Sequence, residues 1–230
     1  MSKVHVSNQY AAQSVSSRQA FADRATPVIE SALHHANLRK LSARTRSHEG
    51  VNLCELPVTG LLVLRAQNDI STLNSALASV LNLNLPSNLH CSTFTGTSSS
   101  NPCIRWVAPD EWLLSCALED TLAIEQNLRL YANDASLAIV NVSGGFSVIE
   151  LSGVHAIDVL KKSTAYDVHP ANFYTGKVVN TVFAKAQISL RCVESDHYEL
   201  IVRRSYTDYL WHWIQVAAAE YGLSISVANS

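Results

Sequence analysis

The sequence predicts an α+β fold in which two ferredoxin-like β-α-β-β-α-β repeats are fused into one unit behind an N-terminal extension. Three observations predict it. A strand and a helix follow Gly60, and the same succession follows Gly145, an offset of 85 residues (60 to 145). Arg105, Val107, Asp110, Trp112 and Leu114 match Arg191, Val193, Asp196, Tyr198 and Leu200, an offset of 86 (105 to 191). Each copy is too thin to bury both faces alone, so the two are expected to share one sheet or to pack as a pseudo-dimer. The expected limits are an N-terminal arm with a short helix over 1–49 and a duplicated domain over 50–230, with repeats at about 50–134 and 135–222.

The elements follow in order. Residues 1–20 are polar and aperiodic, an arm that is disordered or orders on a partner. Val28, Leu33 and Leu38 give 27–41 a short helical pattern with Pro27 at its first position, and 39–47 is a basic loop. Val51, Leu53 and Glu55 alternate as a strand, Pro57 and Gly60 punctuate, and 61–65 is a second strand. Asp69 caps a helix with Ile70, Leu73, Leu77 and Val80 on one face. The polar stretch 82–103 is a surface loop with a short strand near 91–95. Residues 104–107 and 111–116 pair as a hairpin, and 119–132 is a helix with Ile124, Leu128 and Tyr131 inward. After a strand at 137–142, Gly144-Gly145 turns into the strand 146–151. The next helix puts Gly153, Ala156, Ile157 and Leu160 on one face, with Lys161-Lys162 where the dipole favours cations. Beyond the loop 166–176, strands at 178–184, 187–193 and 198–202 lead into an aromatic-rich helix. Ser205 as N-cap, Asp208 three residues on and Gly222 at C′ bound that helix. Tyr206, Leu210, Trp213, Ala217 and Tyr221 share its core face. Trp211 falls about 130° from the stripe, where a partner surface and a local contact stand equally open.

Composition narrows the function classes. With 230 residues, 47% apolar and 16% charged, the chain has a sizeable core. A net charge of −2 without a basic face argues against nucleic acid as a partner. Five cysteines without regular spacing read as buried thiols in a reducing cytoplasm, rather than as disulfides or zinc ligands. The nine histidines are scattered without a metal-ligand spacing, so no metal is expected. No apolar run reaches the roughly 18–20 residues of a membrane span, and 1–10 lacks the apolar core of a secretory signal. The expected location is cytoplasmic.

Among the motifs, Asp110 and Glu111 could be paired carboxylates, but adjacent acids in a two-strand turn bond their own backbone. Trp106 and Trp112 read first as packing and next as interface. Gly144-Gly145 opens a strand and lacks the phosphate-loop pattern, and the sequon Asn141-Val142-Ser143 carries no weight in a cytoplasmic chain. His155, His169 and His212 assemble no catalytic set, which leaves them structural. Arg203-Arg204 opposes the dipole at a helix N-terminus, so a carboxylate from this chain, a partner or an anionic ligand is expected to offset it. The candidate interface residues are therefore Trp112, Arg203, Arg204 and Trp211. No catalytic, cofactor-binding or metal residue is assigned.

Three segments carry a resemblance: WVAPDEWLL at 106–114, ELSGVHAIDVLKKSTAYDVHPANFYTG at 150–176 and VRRSYTDYLWHWIQVAAAEYG at 202–222. They resemble the gamma subunit family of heterotetrameric sarcosine oxidase, over about residues 50–222. The resemblance implies a fold similar to the folate-binding domain of the glycine-cleavage T-protein. It implies a non-catalytic subunit docked on alpha, in a complex with beta and delta. That complex holds FAD on beta, FMN at the alpha–beta contact, NAD and tetrahydrofolate on alpha, and zinc on delta. It oxidatively demethylates sarcosine to glycine, with hydrogen peroxide and methylene-tetrahydrofolate formed. Asn141 stands where Asp is expected and Ser163 where Gly is expected, which leaves the N-methyl substrate open. The alternatives are a stand-alone T-protein-like module or aminomethyltransferase-like enzyme, with tetrahydrofolate in the groove between the repeats, and a plain structural adaptor.

Overall fold

In the computed structural model, residues 29–42, 50–96, 101–132 and 136–228 are described. The chain divides into Met1–Glu30 and Ser31–Ser230, and the architecture below is that of the second unit. The expected arm at 1–20, Pro27, Val28 and the basic residues 43–47 lie outside the described residues.

Chain order is α1 (Leu38–Ser42), β1 (Val51–Glu55), β2 (Gly60–Ala66), α2 (Ile70–Leu81), β3 (Ser92–Phe94), β4 (Cys103–Ala108) and β5 (Glu111–Cys116). Then come α3 (Thr121–Ala132), β6 (Leu137–Asn141), β7 (Phe146–Ser152), α4 (Ala156–Ser163), β8 (Val178–Phe183), β9 (Ala186–Glu194), β10 (His197–Arg203), α5 (Thr207–Ala218) and β11 (Leu223–Val227). From β2 to β6 and again from β7 to β11 the order is β-α-β-β-β-α-β, one strand more than expected in each, and β1 stands outside both runs. The strands form two sheets, ordered β3-β4-β5-β2-β6 and β11-β1-β7-β10-β9-β8. The expectation of a single shared sheet gives way to the paired alternative.

Side-chain alternation explains why two sheets stack. Leu62 and Leu64 of β2, with Leu114 of β5, turn outward onto Leu73 and Leu77 of α2 and Ile124 and Leu128 of α3. Ile149 of β7 and Leu200 of β10 turn outward onto Val159 and Leu160 of α4 and Leu210 and Ile214 of α5. The intervening residues face inward and meet: Leu61 and Leu113 from one sheet pack with Cys54, Val148 and Ile201 from the other. Strands buried on both faces read as near-continuous apolar runs, as 61–64 does. The result is four layers, α/β/β/α.

One side of the sandwich is closed by backbone. Cys91 bridges to Lys177, Ser92 N–H donates to Gly176 C=O at 2.9 Å, and Val178 N–H donates to His90 C=O at 2.8 Å. Gly176 sits there at φ 85°, a conformation that side chains resist. Residues 31–42, read as part of an arm, pack with the large unit. Leu33 is buried in its core, its N–H donates to Glu55 Oε1 at 3.0 Å, and α1 lies against β11. No helix among the described residues is long and apolar enough to cross a membrane.

Several local expectations are corrected. The strand β11 pairs parallel with β1, where the reading ended at Gly222. Arg204–Tyr206 form a 3₁₀ turn, so Ser205 caps nothing and the N-cap is Tyr206 without a side-chain bond. The buried stripe of α5 is Thr207, Leu210, Trp211, Ile214, Ala217 and Ala218, whereas Tyr206 is exposed. Trp213 is half-buried, its indole N–H donating to Ser163 Oγ at 3.0 Å on α4. Tyr131 and Ile70 are exposed, with Ala132 and Ala76 taking the inward places. Gly153 precedes α4 as a turn residue at φ 108°.

Because Trp211 fills the core under α5, Trp211→Ala lowers stability by about 3–5 kcal/mol through the cavity it leaves. Urea unfolding of the isolated chain checks this; an unchanged midpoint would contradict the packing.

Candidate functional site

Among the described residues, a fully buried group of three charged side chains lies between the sheets. Glu199 on β10 is taken from both sides: Arg105 of β4, in the opposite sheet, donates from Nη2 to Oε1, and Arg191 of the neighbouring β9 donates from Nη2 to Oε2 at 3.0 Å. All three side chains are at most 3% exposed. They face inward for the same reason as Leu113 and Ile201, since residue parity on each strand assigns them to the inter-sheet face. Arg191 also donates from Nη1 to Cys103 Sγ at 3.3 Å and stands 5.4 Å from the Phe94 ring centroid. Among the described residues, Arg105 Nε and Nη1 and Arg191 Nε meet no hydrogen-bond partner. Such a group is stable only through mutual charge compensation, because each ion costs several kcal/mol to desolvate.

The strand register adds a second acid. Glu150 of β7 lies directly across from Glu199, with Cys54 of β1 on its other side. Glu150 is met by His197 Nε2 at 3.6 Å. Burial pushes the Glu199 carboxyl up, but Arg105 and Arg191 outweigh burial and hold it below the ordinary range. Glu150 raises the His197 imidazole above its usual value, against the effect of burial. Burial likewise raises the thiols of Cys54, Cys116 and Cys192.

The four candidate interface residues separate into two kinds. Trp112 is 5% exposed in the core under α2 and α3, and Trp211 is 6% exposed under α5, so in the folded chain both turn into its own cores. Trp112 has the parity of Leu114 and Cys116 on β5; Trp211 stands three residues before Ile214 on the buried stripe of α5. Arg203 is exposed, and its guanidinium lies 5.6 Å from the Phe146 ring centroid. Half-buried Arg204 lines a shallow surface depression with Glu55, Pro57, Val58, Phe146 and Ser147. The structure therefore brings Arg203 and Arg204 together at one surface and separates them from both tryptophans.

The other titratable motifs are engaged locally. Arg65 donates to Glu111 at 2.9 Å and stands 3.8 Å from Asp110 across the β4–β5 turn. His155 Nδ1 is 3.0 Å from Asp158 and its ring stacks on Tyr221. His169 folds within its own loop, accepting from Ala171 N–H at 3.2 Å, and His212 lies 3.7 Å from Asp208. Leu61, Leu113, Val148 and Ile201, together with the Arg–Glu–Arg triad, fill the space between the two sheets. Sequence reasoning missed Glu199. Its signal was available, since Arg105, Arg191 and Glu199 each interrupt an apolar strand at an inward position.

Comparison with known proteins gives a consistent neighbourhood. The model of the family described as "Sarcosine oxidase, gamma subunit family" matches residues 65–220. Sarcosine oxidase subunit gamma of Corynebacterium sp. (strain U-96) is 28% identical over 180 residues, covering 78% of this chain and 85% of that protein. The same subunit of Corynebacterium sp. (strain P-1) is 29% identical over 147 residues, covering 64% and 70%. Among solved structures, a chain of heterotetrameric sarcosine oxidase from Corynebacterium sp. U-96, in complex with pyrrole 2-carboxylate, superposes with a TM-score of 0.73 at 27% identity, covering 85% of this chain and 97% of that one. Aminomethyltransferase T of the glycine cleavage system from Bartonella henselae shares the fold, with a TM-score of 0.58 at 12% identity over 83% of this chain and 50% of that one.

Glu199→Leu strands two guanidinium groups and is expected to cost about 3–5 kcal/mol. Adding Arg105→Met and Arg191→Met recovers most of that loss, which urea unfolding of the single and triple variants measures. Two limbs of pH dependence follow from the same cluster. The Glu199 contribution is present above the unfolded-state value of about 4.3 and is lost as pH falls through the lower folded-state value. The His197 contribution is complete below about 6.5 and is lost as pH rises through its raised folded-state value. Thermal unfolding against pH checks both: Glu199→Gln flattens the acid limb and His197→Gln the alkaline one.

Proposed function

The chain belongs to the sarcosine oxidase gamma subunit family, and on that premise we propose that it is a non-catalytic subunit docked on the alpha subunit of a heterotetrameric sarcosine oxidase. In this reading beta and delta complete the assembly. The complex converts sarcosine to glycine, releasing hydrogen peroxide and, with tetrahydrofolate, forming methylene-tetrahydrofolate. FAD and FMN, NAD, tetrahydrofolate and zinc are held by the other subunits. The observation that carries the reading is the likeness, along nearly all of its length, to one chain of a four-subunit enzyme. A second support is where the buried charges go: Arg105, Arg191 and Glu199 are spent on one another between the sheets. All five cysteines are free thiols, which supports a reducing, cytoplasmic setting.

We also infer that the halves are copies of one unit. Arg105 faces Leu113 across β4 and β5 at the place where Arg191 faces Glu199 across β9 and β10. Both members of each pair stand 86 residues from their counterparts (105 to 191, 113 to 199). The two hairpins also shift register beside their turns, at Trp106/Ala108 and at His197/Tyr198.

A tagged copy of the chain pulled from its native host, read by native mass spectrometry and flavin absorbance, tests the subunit reading. Four different chains with flavin are expected. A lone chain without flavin would sink it.

A further inference from the structure

The helix α3 carries apolar residues on two sides. Thr121, Ile124, Leu128 and Ala132 turn into the core. Leu122, Gln126 and Leu130 advance by only about 40° at each step of four residues, and they straddle the line opposite that stripe. Leu122 is 62% exposed and Leu130 76%, with exposed Ala123 beside them and Tyr131 on the flank. Exposed leucines scattered singly are ordinary, but these two end one uncharged ridge on the side of the helix that the fold leaves open. The charges of this layer are withdrawn from that ridge. The helix α2, which packs beside α3, has no ionisable residue. The two in α3 are Glu125 and Arg129, and they close on each other at 2.9 Å. Over the other sheet, α4 and α5 carry Asp158, Lys161, Lys162 and Asp208. Depletion of charge, with an aromatic at the margin, is the composition of an interface core.

The second half shows what the same face is used for. The helices α3 and α5 stand 86 residues apart at both ends (121 to 207, 132 to 218). Leu122, Gln126 and Leu130 thus correspond to Asp208, His212 and Val216 (122 to 208, 126 to 212, 130 to 216). On α5 this line receives another segment of the chain, for His35 Nε2 meets Asp208 Oδ1 at 2.8 Å. On α3 a leucine stands in place of that aspartate, and the line is open. The contact it suits is therefore apolar where the one on α5 is polar. Its rim is acidic, because Glu119 and Asp120 stand exposed at the N-terminal end of α3. A ridge at four-residue spacing is also what the groove of a second helix accepts.

We propose that the outer face of α3 seats a helix of the partner subunit, whose apolar stripe covers Leu122 and Leu130 and whose basic side chains meet Glu119 and Asp120. The inference rests on the docking reading above and names its surface and the chemistry of its occupant. The leucines supply most of the affinity, and the acidic rim sets the direction of the incoming helix.

The test uses the full chain co-expressed with the other subunits, comparing the double variant Leu122→Glu/Leu130→Glu and the single Leu130→Ser with the unaltered protein. Val216→Glu, at the matching place on α5 and 73% exposed, is the control for an added surface charge. The double variant is expected to associate at least about tenfold more weakly, because it buries charge without a partner. Leu130→Ser, which adds no charge, is expected to lose a smaller part of the affinity, and Val216→Glu none. Urea unfolding reports whether each variant folds, and the midpoints are expected to hold because both leucines are exposed; should the double variant not fold, Leu130→Ser alone decides. Unaltered affinity of the deciding variant, or an equal loss in the Val216 control, would overturn the proposal. So would self-association of the isolated chain that the double variant abolishes while the complex keeps its affinity, since the occupant would then be a second copy. Failure of the unaltered chain to join any flavin-bearing assembly would instead overturn the subunit reading on which it rests.

Discussion

Between the two sheets, Arg105 and Arg191 close on Glu199 in a space that side chains otherwise fill. Each ion would cost several kcal/mol if left alone there, so the favoured alignment of the sheets is the one that brings both guanidinium groups onto Glu199. A slip of β4 by one residue would send Arg105 to the helix side and leave Glu199 half-paired. The apolar contacts around Leu61 and Leu113 supply attraction without direction, and the triad supplies the direction. Its contribution is selection of one packing rather than a large net gain in stability.

The triad also marks a difference between the two halves. Leu113 of β5 faces Arg105 and Glu199 of β10 faces Arg191, and both face inward. One position is apolar and the other is the acid that joins the sheets. The asymmetry continues at the edges, where β1 enters the six-stranded sheet between β7 and β11 and has no counterpart beside β2.

Much of this was legible in the chain. Alternation placed the strands, and the β4–β5 hairpin followed from Ala108-Pro109-Asp110 between two apolar runs. The resemblance drawn from three segments named the family that the comparisons support. The face of α5 was not legible, because Tyr206, Tyr209, Trp211, Trp213 and Tyr221 satisfy more than one helical stripe. The tie is broken by tertiary contact: Trp213 keeps its polar handle on Ser163 at the edge of the core, and Trp211 goes under. The Arg203–Arg204 anomaly was visible as a broken dipole rule, whereas the depression beside it depends on the β1–β2 turn, which lies some 145 residues earlier (58 to 203). Glu199 escaped notice because a lone acid in a strand reads as solvent-facing until its parity is compared with that of its neighbours.

The central claim is that the chain is locked from within by the triad between its sheets. Hydrogen exchange, measured on the chain alone and in its complex, tests it most directly. The account predicts equally slow amides in β4, β9 and β10 in both states. Slow exchange in those strands only after assembly would contradict it.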